Sequence, residues 1–253
     1  MFANLAPASA SLDRISHPRG NADEQLSSDA MAQNLTALQR VFQTIDINSC
    51  PSSYNFHMHT VKSDGQLKPN QLIEQAIAIG LKGLAITDHH TTQGYTEAQR
   101  CLEAWKASHP ENSSTAPTLW TGLEINAGLL NVEVHILAYA FNPQAICLQP
   151  YLQGHTLKGS HYRAENVIAA IHQAGGLAVL AHPARYRSPA KALIPEAARF
   201  GVDGVEVYYS YRNTNPWKPT PKITEEVKQL ANRYGLLHTC GTDSHGCNLL
   251  LRL

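Results

Sequence analysis

The stretch PNQLIEQAIAIGLKGLAITDHH, residues 69–90, decides how the rest of the chain is read. Pro69 stands in the first turn of a helix, where its missing N–H costs nothing, and Leu72, Ile73, Ala76 and Ile77 share one face. Gly80 stops that helix, and a short apolar run at 83–87 follows as a buried strand. At its C-terminal end stand Asp88, His89 and His90. Helix, glycine stop, strand and then chemistry-bearing side chains is the grammar of a parallel α/β sheet.

The same grammar recurs on both sides. Strand-like runs fall at 54–58, 83–87, 118–125, 132–141, 176–181, 202–209 and 236–239. Helices are predicted at 163–174, 189–200 and 221–234, each followed by glycine at Gly175, Gly201 or Gly235. Seven strands in one domain point to a closed α/β barrel, with an open doubly wound sheet as the alternative. Upstream, Leu35, Leu38, Phe42 and Ile45 recur at helical spacing before the punctuating segment 49–53. The predicted organisation is a loosely ordered polar tail over 1–30, a helix and linker over 31–53, and one domain over 54–253.

Composition narrows the function classes. Twenty basic residues balance 20 acidic ones, which argues against a protein that grips long nucleic acid through a basic surface. No apolar run reaches the length of a membrane span, and no basic-then-apolar leader opens the chain, so no membrane partner is expected. The five cysteines are odd in number and form no C-x-x-C pair; a reducing, cytoplasmic setting is the expectation. The unusual count is 13 histidines.

Many of those histidines lie at strand ends. The first run gives His57 and His59, followed by Asp64; the second gives Asp88, His89 and His90. The third carries Glu124, the fourth His135, the fifth ends in His182, and the last leads to Asp243 and His245. In a parallel barrel such ends converge on one face, where active sites are built. Chance alone supplies roughly one His-x-His triplet in a chain this rich in histidine, so His57-Met58-His59 is weak by itself. Six strand ends that all supply imidazole or carboxylate are not weak, and they predict a metal centre. Imidazole and carboxylate without thiolate suit manganese, iron or zinc.

The segments His57-Met58-His59-Thr60, Ser63-Asp64-Gly65, Thr87-Asp88-His89, Ala181-His182-Pro183 and Gly241-Thr242-Asp243-Ser244-His245 together resemble the PHP (polymerase and histidinol phosphatase) family. Within it, the chain is most similar to the bacterial branch of nucleoside 3',5'-bisphosphate phosphatases that also act as 5'-to-3' exoribonucleases on short RNA. The resemblance implies a distorted seven-stranded (β/α)7 barrel, here with an N-terminal helical extension, and two or three divalent ions. Manganese is the expected metal, with zinc or iron as alternatives. It implies one ion on His57, His59, Glu124 and Asp243. A second ion would share Glu124 and take His135 and His182, and a third would take Asp64, His89 and His245. The family also carries an arginine at the position of Arg185, which is expected to clamp phosphate. Asp88 and His90 flank His89 and are expected to orient it, and Asp88 joins Arg185 as a catalytic candidate.

The expected activity is metal-dependent hydrolysis of a phosphomonoester on a small, nucleotide-like anion or a short RNA end. Divalent ions neutralise the phosphate and acidify bound water, which an uncatalysed monoester lacks. The stretches 208–212 and 217–222 interleave aromatic and cationic residues, so Tyr208 or Trp217 stacking a base while Arg212 and Lys218 hold a second phosphate is one reading; packing of Tyr208 and Trp217 at the barrel rim is the other. Relatives in this branch carry a small helical insert between the fourth and fifth strands. Here His135 and His182 are 47 positions apart, so that insert is expected to be reduced and the site more open. Histidinol-phosphate phosphatase and a non-catalytic metal-binding regulatory module are the alternatives. The oligomeric state stays open.

Overall fold

The computed structural model describes Met1 and residues 28–253; the tail expected over 1–30 falls, for residues 2–27, outside the described residues. Two short helices come first, α1 (Ser28–Ala32) and α2 (Leu35–Phe42). The Asn34 side chain caps α2 by accepting the Ala37 N–H at 2.9 Å, and Leu38 and Phe42 are buried. Then follow β1 (Tyr54–Asn55), α3 (Pro69–Ile79), β2 (Gly83–Ala85), α4 (Gln93–Ser108) and β3 (Thr118–Trp120). Helix α3 ends at Gly80, whose φ of 79° is the left-handed conformation glycine adopts without strain. Next come β4 (Gly122–Leu129), β5 (Val132–Tyr139), α5 (Ala164–Gln173), β6 (Leu177–Leu180), α6 (Ala190–Arg199), β7 (Gly204–Tyr208), α7 (Pro221–Arg233) and β8 (Leu237–Cys240).

The strands form two sheets, a parallel one ordered β1-β2-β3 and a five-stranded one ordered β4-β5-β6-β7-β8. This differs from the single seven-stranded barrel expected from the sequence. The run 118–125 is divided at Thr121, whose N–H bonds to the Ala32 carbonyl of α1 instead of to a neighbouring strand. Parallel order also fails between β4 and β5, which pair antiparallel, as do β5 and β6. The cause is local: Leu130 and Asn131 both take positive φ (49° and 61°), the two-residue hairpin geometry, so the chain turns back without a helix.

Single bridges join the two sheets, Met58 to Ser244 on one side and His89 to Glu124 on the other. Both seams therefore lie at residues expected to bear ligands, or directly beside them. The connection between β5 and β6 holds two short 3-10 segments, Ile146–Leu152 and Gly159–Tyr162, and α5.

Helix α2 packs below the site. Phe42 meets Phe56 edge-on at 5.0 Å between ring centroids and Tyr139 at 5.5 Å, and Tyr139 Oη donates to the Phe56 carbonyl at 2.7 Å. Around α3 and α4 a second apolar cluster holds Leu72, Ile73, Tyr95, Leu102 and Leu249. No helix among the described residues is long and apolar enough to cross a membrane.

Candidate metal centre

Nine side chains converge, Glu124 and His135 from within β4 and β5 and the others from the segments that follow β1, β2, β6 and β8. Glu124, on β4, is 1% exposed and is the hub. Its Oε2 lies 3.1 Å from His57 Nε2, 3.1 Å from His59 Nε2 and 3.5 Å from His89 Nε2. Its Oε1 lies 2.7 Å from His135 Nδ1 and 3.6 Å from His182 Nε2. The two oxygens thus face two different sets of imidazoles. Asp243 Oδ1 stands 3.4 Å from His57 Nε2 and 3.3 Å from His59 Nε2. Asp64 Oδ2 is 3.2 Å from His245 Nε2 and 3.8 Å from His89 Nε2, and its Oδ1 is 3.4 Å from His59 Nδ1.

These distances gather the residues into overlapping sets. His57, His59 and Glu124 come together, with Asp243 at their side; His59, Asp64, His89 and His245 form another set. A third set is His89, Glu124 and His135, with His89 facing one oxygen of Glu124 and His135 the other, and a fourth is His57, His182 and Glu206.

The donors suit a divalent cation on physical grounds. Both ring nitrogens of His59 are buried without a hydrogen-bond partner, and they face Asp64 on one side and Glu124 and Asp243 on the other. Leaving such atoms unpaired is costly, and a cation at the ring-nitrogen lone pairs relieves it. Three carboxylates, Glu124, Glu206 and Asp243, are also almost wholly buried, and buried charge needs a counter-charge.

The electrostatics agree. Burial works against ionised Glu124, yet His57, His135 and His89 hold its carboxyl well below the usual range. Asp243 is likewise buried, and is held low by His57, His59 and His182. Burial also opposes charge on His57, but Glu124, Glu206 and Asp243 prevail and raise it well above the ordinary imidazole value. For His59, Asp243 and Glu124 outweigh burial and raise it to about 9. His89 goes the other way: burial lowers it to about 4, leaving a neutral ring ready to donate its lone pair.

Arg185 reaches the site, with Nη1 donating to Asp243 Oδ2 at 3.0 Å and to Tyr209 Oη at 2.7 Å. Asp88 is brought close to the donors but faces elsewhere. Its Oδ1 accepts the Thr60 N–H and the Ser63 hydroxyl, and its Oδ2 accepts the Thr60 hydroxyl, all at 2.7 Å. It braces the turn that presents Asp64. His90 accepts the Asn126 N–H through Nε2 at 3.3 Å.

Of the two readings of 208–222, the structure takes rim packing for Tyr208 and Trp217. Tyr208 and Trp217 are each 4% exposed and belong to the apolar core, so neither face is open to a base. Arg212 and Lys218 remain exposed. Other histidines stay apart from the centre: His172 Nε2 pairs with Asp203 at 2.8 Å, His238 Nε2 lies 2.9 Å from Asn232 Oδ1, and His109 stacks on Trp105.

Two residues at the centre escaped the sequence reading. Glu206, fully buried on β7, lies 3.0 Å from His57 Nδ1 and accepts the His182 N–H at 2.9 Å. Arg252 donates through Nε to Asp243 Oδ2 at 2.9 Å. The signal for Glu206 was a carboxylate inside an otherwise apolar strand; nothing in the sequence marked Arg252. A cavity of about 310 Å³ opens over the centre, lined by Asp64, His135, His182, Arg185, Tyr186 and Arg252 among others.

Known proteins match this picture. The chain is 26% identical over 255 residues to the 5'-3' exoribonuclease Rnm of Escherichia coli, covering 76% of this chain and 85% of that protein. It is 25% identical over 256 residues to the phosphoribosyl 1,2-cyclic phosphate 1,2-diphosphodiesterase of Eggerthella lenta, covering 76% of this chain and 94% of that protein. Among solved structures, a Bifidobacterium adolescentis protein assigned as a metal-dependent phosphoesterase superposes with a TM-score of 0.61 at 25% identity, over 78% of this chain and 88% of that one. The PHP domain model matches residues 55–246, a span that contains all nine donors, and the chain belongs to the PHP domain family.

Proposed function

We propose that the chain is a metal-dependent hydrolase that cleaves a terminal phosphate ester from a small nucleotide-like substrate, such as a nucleoside 3',5'-bisphosphate, or from the 5' end of a short RNA. The observation that carries this reading is Glu124, with five imidazole nitrogens within 3.6 Å of its two oxygens, beside a cavity lined by two arginines. His57, His59, Glu124, His135, His182, Asp243, Asp64, His89 and His245 would hold two or three divalent ions, with manganese as first choice and zinc or iron as alternatives. When bound, such ions neutralise phosphate charge and lower the pKa of water toward about 7.

The chain's own residues do the rest. Arg185 orients a phosphate oxygen and holds Asp243 in place. Glu124 offers one oxygen to each imidazole set and so fixes their spacing. A cavity of about 310 Å³ over the centre has room for the phosphate end of such a substrate. Relatives named as an exoribonuclease and a cyclic phosphate diesterase support phosphoester chemistry.

The test is phosphate release by metal-reconstituted protein from adenosine 3',5'-bisphosphate, 5'-phosphorylated short RNA, histidinol phosphate and an aryl phosphate. Asp243→Asn and His182→Ala are the controls. Turnover of the bisphosphate or RNA end that both substitutions abolish is expected. Inactivity with manganese, zinc and iron alike, or activity surviving both substitutions, overturns the reading.

A further inference from the structure

Residues 246–253 run from the last histidine donor back across the site, and three anchors fix their path. Leu249 is 1% exposed and belongs to the same apolar cluster as Leu72 and Ile73 of α3. Gln75, also on α3, donates through Nε2 to the Cys247 carbonyl at 2.9 Å and accepts the Leu249 N–H through Oε1 at 3.0 Å. The Arg252 carbonyl accepts the His245 N–H at 2.6 Å. A segment pinned this way delivers its arginine to a defined place instead of trailing in solvent.

That place is shared. Arg252 Nε donates to Asp243 Oδ2 at 2.9 Å and to Tyr209 Oη at 3.1 Å, and Arg185 Nη1 donates to the same two oxygens. Tyr209 Oη itself donates to Asp243 Oδ2 at 2.7 Å. Two guanidinium groups therefore meet at one carboxylate oxygen, and the other oxygen of Asp243 faces His57 and His59. One carboxylate, already shared with two imidazoles, does not balance two guanidinium charges. Among the described residues, Arg252 Nη1 and Nη2 and Arg185 Nε and Nη2 have no hydrogen-bond partner in the protein, and both side chains line the cavity.

We propose that Arg252 is the second arm of a guanidinium pair that grips the doubly negative phosphate of the substrate. It is also a positioning residue for Asp243, and it makes the site select a terminal monoester over an internal diester. The proposal rests on the phosphoesterase reading above. Its physical basis is the number and charge of free oxygens. A terminal phosphate presents three unesterified oxygens and close to two charges, enough for both forks. A diester presents two such oxygens and one charge, and gains little from the second arginine.

The experiment compares wild-type protein, Arg252→Ala and Arg252→Lys, all metal-loaded and checked for equal melting temperature. Inorganic phosphate binding is measured by calorimetry, and KM and kcat are measured for an aryl phosphate and for the matching bis-aryl diester. Losing one charge-assisted fork is expected to weaken phosphate binding and raise the monoester KM about ten-fold to a hundred-fold, against less than about three-fold for the diester. Arg252→Lys is expected to recover part of the loss, since it restores the charge without the fork. Phosphate binding unchanged in Arg252→Ala, or equal losses on monoester and diester, overturns the proposal. If wild-type protein hydrolyses neither ester yet binds phosphate in an Arg252-dependent way, the grip stands and the phosphoesterase reading falls.

Discussion

Glu206 Oε1 lies 3.0 Å from His57 Nδ1, while its Oε2 accepts the backbone N–H of His182 at 2.9 Å. One buried carboxylate on β7 thereby ties together donors presented at the ends of β1 and β6. With its Nδ1 proton directed at Glu206, His57 keeps Nε2 turned toward Glu124 and Asp243. Such outer carboxylates fix the ring and raise its basicity. Glu206→Ala is expected to weaken metal affinity about ten-fold to a hundred-fold, measured by competition with a chromophoric chelator, with Glu206→Gln falling between it and wild type. Wild-type affinity in Glu206→Ala would remove Glu206 from this role.

Protons and metal ions compete for the same rings. In the metal-free protein, Glu124, Glu206 and Asp243 overcome burial to raise His57, and Asp243 and Glu124 raise His59 from 6.5 to about 9. A raised imidazole pKa stabilises the fold fully below its unfolded value of 6.5, and that contribution is lost as pH climbs through about 9. The metal-free melting temperature should therefore fall between pH 6.5 and 9. Metal affinity runs the opposite way, because binding must expel those protons. Melts with chelator and with added manganese should show a metal-induced gain that grows across this window. A gain independent of pH would contradict the assigned protonation.

Most of the side chains gathered around Glu124 were legible in the sequence because they follow a short apolar run, whereas Glu124 and His135 stand within β4 and β5. What the sequence concealed was direction. The runs 118–125 and 132–141 read equally well as parallel or antiparallel strands, and the positive φ values of Leu130 and Asn131 decide between them. Helix α4 was missed because Gly94 and two threonines open it, although Tyr95, Ala98 and Leu102 mark its buried face. Arg252 was hidden for a different reason. Its importance comes from a tertiary return anchored by Gln75 and Leu249, which no local pattern encodes.

Asp88 illustrates how a residue next to a ligand can serve the site without touching it. Its carboxylate gathers Thr60 and Ser63, and the start of α4 presses on it so closely that a Cβ at Gly94 would collide with Asp88 Oδ2. Gly94→Ala should displace Asp88 and free the turn bearing Asp64, and Asp88→Ala should do the same from the other side. If Asp64, His89 and His245 hold an ion, as proposed, both variants are expected to lose it while keeping any held around Glu124. Elemental analysis after gel filtration reads this as a lower metal-to-protein ratio. A full complement of metal in both would show that Asp64 needs no such brace.

Phe42 ties helix α2 to the strand that leads to His57. Phe42 is 1% exposed and packs edge-on against both Phe56 and Tyr139, and Phe56 immediately precedes His57. Truncating a buried phenylalanine to alanine removes its transfer energy and leaves a cavity, so Phe42→Ala should cost about 3–5 kcal/mol of stability by denaturant unfolding. Phe42→Leu, which refills most of the volume, should cost less. A loss below about 1 kcal/mol in Phe42→Ala would make α2 a peripheral attachment, since buried aromatic truncations rarely cost so little. Metal affinity gives the complementary readout: His57 is held from its far side by Glu206, so folded Phe42→Ala protein should bind metal almost as tightly as wild type.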